Sequence, residues 1–409
     1  MPKKLPFLSI IVFVIVTSCF VTSLITYVET DKFWTNEVDR LLSSEESETT
    51  KDLSELIKLV DDKYVYSFDT ASLSEGVLSG FVNSLPDRYS MYMDREEYQN
   101  FISFQNSPSS LGIGVSTIYD STREGLYVVS VYKGSPAEQS GIVPGDVITH
   151  IDEKFVGNLG YYTSMHAIAN GRENQKIKLF VKKLDGHSDV LNISRAFVGS
   201  EGVTGEKAGD KIGIIRISRF SVGDENTFKQ SLEKLIMSGH EKFVIDLRNN
   251  PGGDIETASR ILDFLLPEGP VFTVTDKSGA TNTFTSDTSA IPYPLAVIIN
   301  ENTVCEAEVF AKALSNFGTA RIFGTNSYGK TSTQSVYPLS NGGAASISSV
   351  KYALVGSEDF GGVGITPDVT VALSDEIKAK YTTMTKEEDA PLQAALEYLR
   401  TAKLPELYD

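Results

Sequence analysis

From about residue 200 to residue 374, apolar strand-like runs alternate with helix-like stretches. The order is KIGIIRIS, FKQSLEKLIM, KFVIDLR, a helical stretch, LAVIIN and a second helical stretch. That alternation allows few architectures and predicts an α/β core. A side chain where such a strand turns into a helix is exposed at the carboxyl end of the sheet, where α/β sites gather. Residues 296–308, AVIINENTVCEAE, read as such a turn and place Cys305, one of only two cysteines, at the start of a helix. Val309, Phe310, Ala313 and Leu314 then fall on its buried face.

At 409 residues the chain is too long for one core, and it reads as an α/β multidomain protein. We divide it into a membrane anchor or signal (1–30), a polar, helix-forming region (31–105), a strand-rich region (106–198), the α/β core (199–385) and a charged C-terminal helix (386–409). The net charge of −17 argues against nucleic-acid binding, which needs clustered Lys and Arg. Lys3 and Lys4 precede an apolar run at 5–28, and Glu29 and Asp31 follow it. The run is long enough for a transmembrane helix, with the N-terminus cytoplasmic and the remaining domains extracytoplasmic. A cleaved signal peptide and a lipoprotein cut at Cys19 are alternative readings. The run continues past Cys19 through Phe20, Val21, Leu24 and Ile25, which favours the uncleaved anchor. Trp34 sits just beyond it, either at the membrane interface or packed on a helix.

In the strand-rich region, Leu111, Gly112, Ile113 and Gly114 form a short glycine-rich loop. Its successive backbone N–H groups can converge on a carboxylate, and the next strand offers an edge to an extended peptide. With GSPAEQSGIVPGDVI downstream, this stretch resembles a PDZ domain, which implies capture of free protein C-termini. In the core, KFVIDLRNNPGGD (242–254) runs a strand into a Pro-Gly-Gly turn and a helix. Gly252 and Gly253 leave N–H groups near a helix N-terminus, as an oxyanion hole requires. Further on, RIFGTNSYGKTSTQ supplies Lys330 and, four residues later, Gln334.

DLRNNPGG, then the Asn-initiated turn at Cys305, then GTNSYGKTSTQ, all behind a PDZ-like segment, resemble the carboxyl-terminal processing peptidases. These are PDZ-containing serine peptidases with a Ser-Lys catalytic pair. SEGVLSGFVNSLPDRYSMYM (74–93) and GGVGITPDVTV (361–371) extend the resemblance over roughly residues 50–400. The resemblance implies that Lys330 is the general base and Gln334 the residue that positions it. It also implies that Gly253 and the backbone N–H of Glu306 form the oxyanion hole. Glu308 matches a glutamate frequent in the family. Two departures stand out: Cys305 takes the serine position, and Glu306 replaces a small residue. A third is Asn170, where an arginine of the family helps couple PDZ binding to activation; Arg172 lies two residues on.

Cysteine suits a nucleophile because its ordinary pKa is near 8.5 and a helix N-terminus lowers it, although Glu306 and Glu308 oppose a thiolate. The expected function is extracytoplasmic endoproteolysis of chains held by their C-termini. The alternative is a catalytically inactive PDZ scaffold. His150, His166, His187 and His240 offer no triad partner, and no spacing suggests a metal or other cofactor. The helical ends are the expected surfaces for any homodimer.

Overall fold

The computed structural model describes residues 51–106, 111–120, 125–198, 202–287, 290–379 and 381–403. The anchor expected at 5–28 and Trp34 lie outside these residues. Among the described residues, no helix is long and apolar enough to cross a membrane. The chain divides into two units, Met1–Leu73 and Ser74–Asp409. In the first, residues 51–63 form a helix on which Leu56, Ile57 and Leu59 are exposed.

The second unit is built around a six-stranded sheet in the order Val203–Lys207, Ile212–Ile217, Lys242–Asp246, Leu295–Ile299, Ala320–Gly324 and Val369–Thr370. Only the first pairing is antiparallel. Strand period explains why these segments read as unbroken apolar runs: both faces are buried. Ile215, Ile217, Phe243, Ile245, Val297 and Ile299 pack on one face, in a core shared with Phe228, Ile261, Phe310 and Leu314 from three helices. Their alternates Ile212, Ile214, Val244, Ala296 and Ile298 face the C-terminal helix Ala390–Thr401 through Leu392, Ala395, Leu396 and Leu399.

That helix is fastened to the sheet by charge. Asp389 caps it by accepting the Leu392 N–H, and also accepts two hydrogen bonds from Arg248, both at 2.7 Å. Arg248 is buried and paired with Asp246 as well. Burial disfavours an ionised Asp246, yet Arg216 and Arg248 hold its carboxyl below the usual range. This network lies at the carboxyl end of the Lys242–Asp246 strand and fixes the start of the Asn-Asn-Pro-Gly-Gly loop.

A second sheet joins Ala344–Leu354 to Ser332–Pro338, Gly269–Asp276 and Met91–Met93, with Thr281–Ser286 outside Gly269–Asp276. Met91–Met93 comes from the region whose sequence reads as helical, so that region is not wholly helix. Met91 and Met93 are buried against Ala344, and the strand belongs to the peptidase-side sheet.

The strand-rich region folds as a separate sheet ordered Val115–Asp120, Gly125–Val131, Val147–Ile151, Lys176–Lys182 and Ser188–Ser194. The helix Tyr161–Ala169 packs into its core through Ile168. Both ends of this helix have backbone groups taken up by side chains. Glu97, from the helix Arg95–Asn106, accepts the Tyr162 N–H at 3.0 Å. Burial raises the Glu97 carboxyl to about 8. Arg195 donates to the carbonyls of Ile168 and Ala167 at 2.8 and 2.7 Å. The C-terminal end of the helix is therefore capped by Arg195, well away in sequence from the departure at Asn170.

Candidate active site

Three loops leave the carboxyl ends of three adjacent parallel strands and meet. They follow Lys242–Asp246, Leu295–Ile299 and Ala320–Gly324. The first carries Gly253, the second Cys305 and Glu306, and the third Lys330, with Gln334 in the strand that follows. All five core residues singled out in the sequence are therefore brought to one place.

The first two loops are stitched by asparagines. Asn300 Oδ1 accepts the Asn249 N–H at 2.9 Å, and the side chains of Asn300 and Asn302 both donate to Asn249 Oδ1. Asn250 accepts the Gly252 N–H on its side chain and the Val304 N–H on its carbonyl. The Tyr127 hydroxyl, from the PDZ-like sheet, donates to Asn302 Oδ1. In the sequence these asparagines are only turn signals. Their pairing across the site has no local signature.

Cys305 caps the helix Glu306–Asn316 with φ 57° and ψ −117°. A non-glycine residue in this region is strained by about 1–3 kcal/mol and keeps the conformation only where its surroundings impose it. Here they do. Glu308, three residues on, accepts the Cys305 N–H at 2.9 Å, an arrangement that fixes the helix start. The same carboxylate accepts the Ser327 hydroxyl at 2.5 Å and the N–H groups of Gly329 and Lys330 at 2.6 and 2.8 Å. Glu308 is fully buried, and burial raises its carboxyl to about 7 against these donors. One side chain therefore locks the Cys305 turn to the Lys330 loop.

Lys330 Nζ donates to Gln334 Oε1 at 3.0 Å, and Gln334 Nε2 donates to Ser348 Oγ at 2.8 Å. Lys330 Nζ also sits 4.8 Å from the Tyr89 ring centroid. Ser90 Oγ in turn accepts the Ser348 N–H at 3.0 Å. Tyr89, Ser90 and Ser348 complete the lysine's surroundings. Sequence reasoning missed all three, because they come from distant segments joined only by sheet pairing.

Cys305 is 4% exposed. Its Sγ lies 3.3 Å from Glu306 Oε1 and 3.7 Å from the Ser332 carbonyl. Burial, and then the Glu306 carboxylate, push the thiol well above its ordinary pKa, while the charge of Lys330 pulls the other way. Glu306 was expected to offer its backbone N–H to the oxyanion and its charge against a thiolate. Its side chain turns inward, and Oε2 accepts the Gly253 N–H at 2.9 Å while Oε1 accepts the Tyr352 hydroxyl at 2.7 Å. The expected oxyanion donor is thus engaged by a carboxylate of the same chain.

In the PDZ-like region, Leu111 and Gly112 pair with Phe197 and Ala196. Ile113 is buried, and its carbonyl accepts the Ala137 N–H at 2.8 Å. Gly114 takes φ +84°, and a Cβ there would come 2.2 Å from that of Ser135. The following strand, Val115–Asp120, is the edge of its sheet. Its Thr117 carbonyl accepts the Tyr161 hydroxyl at 3.0 Å. Among the described residues, no group of His, Cys, Asp and Glu is placed to hold a metal.

A model of peptidase family S41 matches residues 211–371, and a PDZ-domain model matches residues 109–194. A model of the N-terminal domain of the activating protease CtpB matches residues 18–97. The chain is 27% identical over 373 residues to a probable CtpA-like serine protease of Staphylococcus aureus (strain COL), covering 90% of this chain and 73% of that protein. It is 27% identical over 331 residues to the carboxy-terminal processing protease CtpA of Bacillus subtilis (strain 168), covering 80% and 70%. Among solved structures, the photosystem II D1 C-terminal processing protease shares the fold with a TM-score of 0.65 and 22% identity, over 78% of this chain and 86% of that one.

Proposed function

Because this chain belongs to the carboxyl-terminal processing family of PDZ-containing, serine-type peptidases, we propose that it is an endopeptidase in which Cys305 takes the nucleophile's part. The observation that carries the reading is Glu308, which ties the strained Cys305 turn to the loop presenting Lys330. A site with no chemistry to perform has little use for a nucleophile and a lysine held to each other by a buried carboxylate.

In the proposed reaction, Cys305 Sγ attacks the scissile carbonyl carbon and its proton passes to the Lys330 amine. The negative charge on the former carbonyl oxygen is taken by the N–H groups of Gly253 and Glu306. The C–N bond then breaks, and the Lys330 ammonium gives its proton to the leaving amine. Water hydrolyses the remaining thioester, restores the thiol and releases the new carboxyl terminus. Gln334 and Tyr89 keep Nζ in position throughout.

Substrates enter by their C-termini in this proposal. Leu111, Gly112, Ile113 and Gly114 receive the carboxylate on backbone N–H groups, and the Val115–Asp120 edge pairs with the residues before it. An amidated tail should bind more weakly than the free acid, by about 1.5–3 kcal/mol for one charge-assisted hydrogen bond, and be cleaved more slowly at sub-saturating concentration. Equal binding and cleavage of the two, compared by calorimetry and by cleavage rate, would remove C-terminal capture.

The apolar run at 5–28 supports an anchor that holds these domains outside the cytoplasm. Digestion of the domains by protease added to intact cells tests that placement. The exposed apolar residues of helix 51–63 support homodimerisation through the N-terminal region, which the sedimentation mass of the purified protein would reveal.

A further inference from the structure

A carboxylate beside the nucleophile of an acyl-transfer site works against the reaction. It repels the developing oxyanion and disfavours the thiolate. Here the carboxylate lies not merely nearby but in the place the oxyanion needs. Glu306 Oε2 accepts the Gly253 N–H at 2.9 Å, and Oε1 accepts the Cys305 thiol at 3.3 Å and the Tyr352 hydroxyl at 2.7 Å. Each of these three partners is a donor, so both oxygens of Glu306 are met as acceptors.

The space is shaped for it too. Gly252 has φ +94°, and a Cβ at that position would fall 2.2 Å from Glu306 Oε2. The glycine turn therefore leaves room for a carboxylate to lie against its backbone. Tyr352, which holds the other oxygen, comes from the neighbouring sheet and is itself buried.

We propose that the Glu306 side chain is an internal occupant of the oxyanion subsite, a latch that keeps the site closed until a substrate carbonyl displaces it. The inference rests on the peptidase reading of this site and adds its control. A scissile carbonyl must take the Gly253 N–H away from Glu306, and the same displacement breaks the contact that retains the thiol proton. Access to the nucleophile and assembly of the oxyanion hole are thereby released in one motion. Only the fraction of molecules with the latch open reacts, so weakly bound chains are cleaved slowly, whereas a tail anchored at the PDZ domain competes with the carboxylate at high effective concentration.

The test compares the full-length wild type with Glu306→Ala, Glu306→Gln and Tyr352→Phe. The first readout is the rate of Cys305 carbamidomethylation by iodoacetamide at fixed pH, followed by peptide mass so that Cys19 does not interfere. It needs no proteolytic turnover, so failure of the latch and failure of the peptidase reading are distinguishable. Glu306→Ala should alkylate at least about tenfold faster than wild type, as expected when a mostly closed population opens. Glu306→Gln keeps the size but loses the charge, and should also gain. Tyr352→Phe removes one of the latch's anchors, and a smaller gain is expected. The second readout is cleavage of a short peptide too small to span the PDZ domain, which should improve more than cleavage of a PDZ-anchored tail. Alkylation rates equal to or below wild type in both the Gln and Phe variants, with melting temperatures unchanged, would overturn the proposal. Faster alkylation with no cleavage by any variant would leave the latch standing and count against the peptidase reading alone.

Discussion

Lys330→Ala is expected to cut turnover of an unstructured protein tail by about 10²- to 10⁴-fold, the range for loss of a positioned general base. The thiol it serves is buried and faced by Glu306, and both push its pKa well above the ordinary value. Cys305 is therefore a thiol at neutral pH, and some group must take its proton as the C–S bond forms. Lys330 is the basic side chain whose charge acts on this thiol when protonated, and in its amine form it can take the proton. Gln334→Ala should cost less, about 10- to 100-fold, because Tyr89 still supports the Nζ end after the 3.0 Å hydrogen bond is lost. Neither variant should alter binding of a tail to the PDZ domain. Steady-state cleavage and peptide binding, measured on the same preparations, separate these effects.

Glu308→Ala should be the most damaging single change to the site's architecture. It strands four donors: the N–H groups of Cys305, Gly329 and Lys330 and the Ser327 hydroxyl. Leaving a buried donor without its partner costs about 1–3 kcal/mol, and the strain at Cys305 adds pressure to unwind the turn. A clear fall in Tm follows from that cost. Glu308→Gln should cost less than Glu308→Ala, because its oxygen still accepts one pair of donors, but it should not be neutral. Each carboxylate oxygen accepts two donors, so the amide NH₂ must face one pair of them wherever it points. Linkage gives a further check. Burial raises this carboxyl from its usual 4.5 to about 7, so its contribution to stability is full below about pH 4.5 and is lost as pH rises through 7. The Gln variant should lack that decline. Thermal unfolding across pH, with wild type alongside, measures both effects.

Much of this fold was legible because its central strands are buried on both faces. KFVIDL and LAVII read as continuous apolar runs and were followed by turn residues, which placed Gly253 and Cys305 at strand ends. Glu308 was marked only as a glutamate frequent in the family, and its part in capping the Cys305 turn shows only in the fold. Contacts made across the sheet were not legible either. Met91–Met93 lies in a stretch rich in helix-forming residues, and only pairing with Ala344, Ala345 and Ser346 makes it a strand. Tyr89, Ser348 and Tyr352 reach the site through such pairing, and no local pattern marks them. Glu306 shows the limit most plainly. Its charge was readable and its effect on the thiol foreseeable, but whether the side chain faced solvent or Gly253 depends on the packing of the glycine turn and Tyr352. The PDZ-like groove repeats the lesson, since the Tyr161 hydroxyl claims the Thr117 carbonyl on the edge offered to a peptide.

The most direct measurement is cleavage of an unstructured tail that the PDZ domain binds, followed by mass spectrometry, for the wild type with and without prior alkylation of Cys305, and for Cys305→Ala and Cys305→Ser. The wild type should yield discrete products, with none after alkylation or in Cys305→Ala, and tail binding should be retained throughout. Cys305→Ser should keep measurable activity, because the lysine and oxyanion donors around it belong to a serine-type site. Undiminished cleavage by Cys305→Ala would contradict the nucleophile assignment. A tail bound by both wild type and Cys305→Ser yet left intact by both would contradict the enzyme itself, and leave a peptide-binding scaffold.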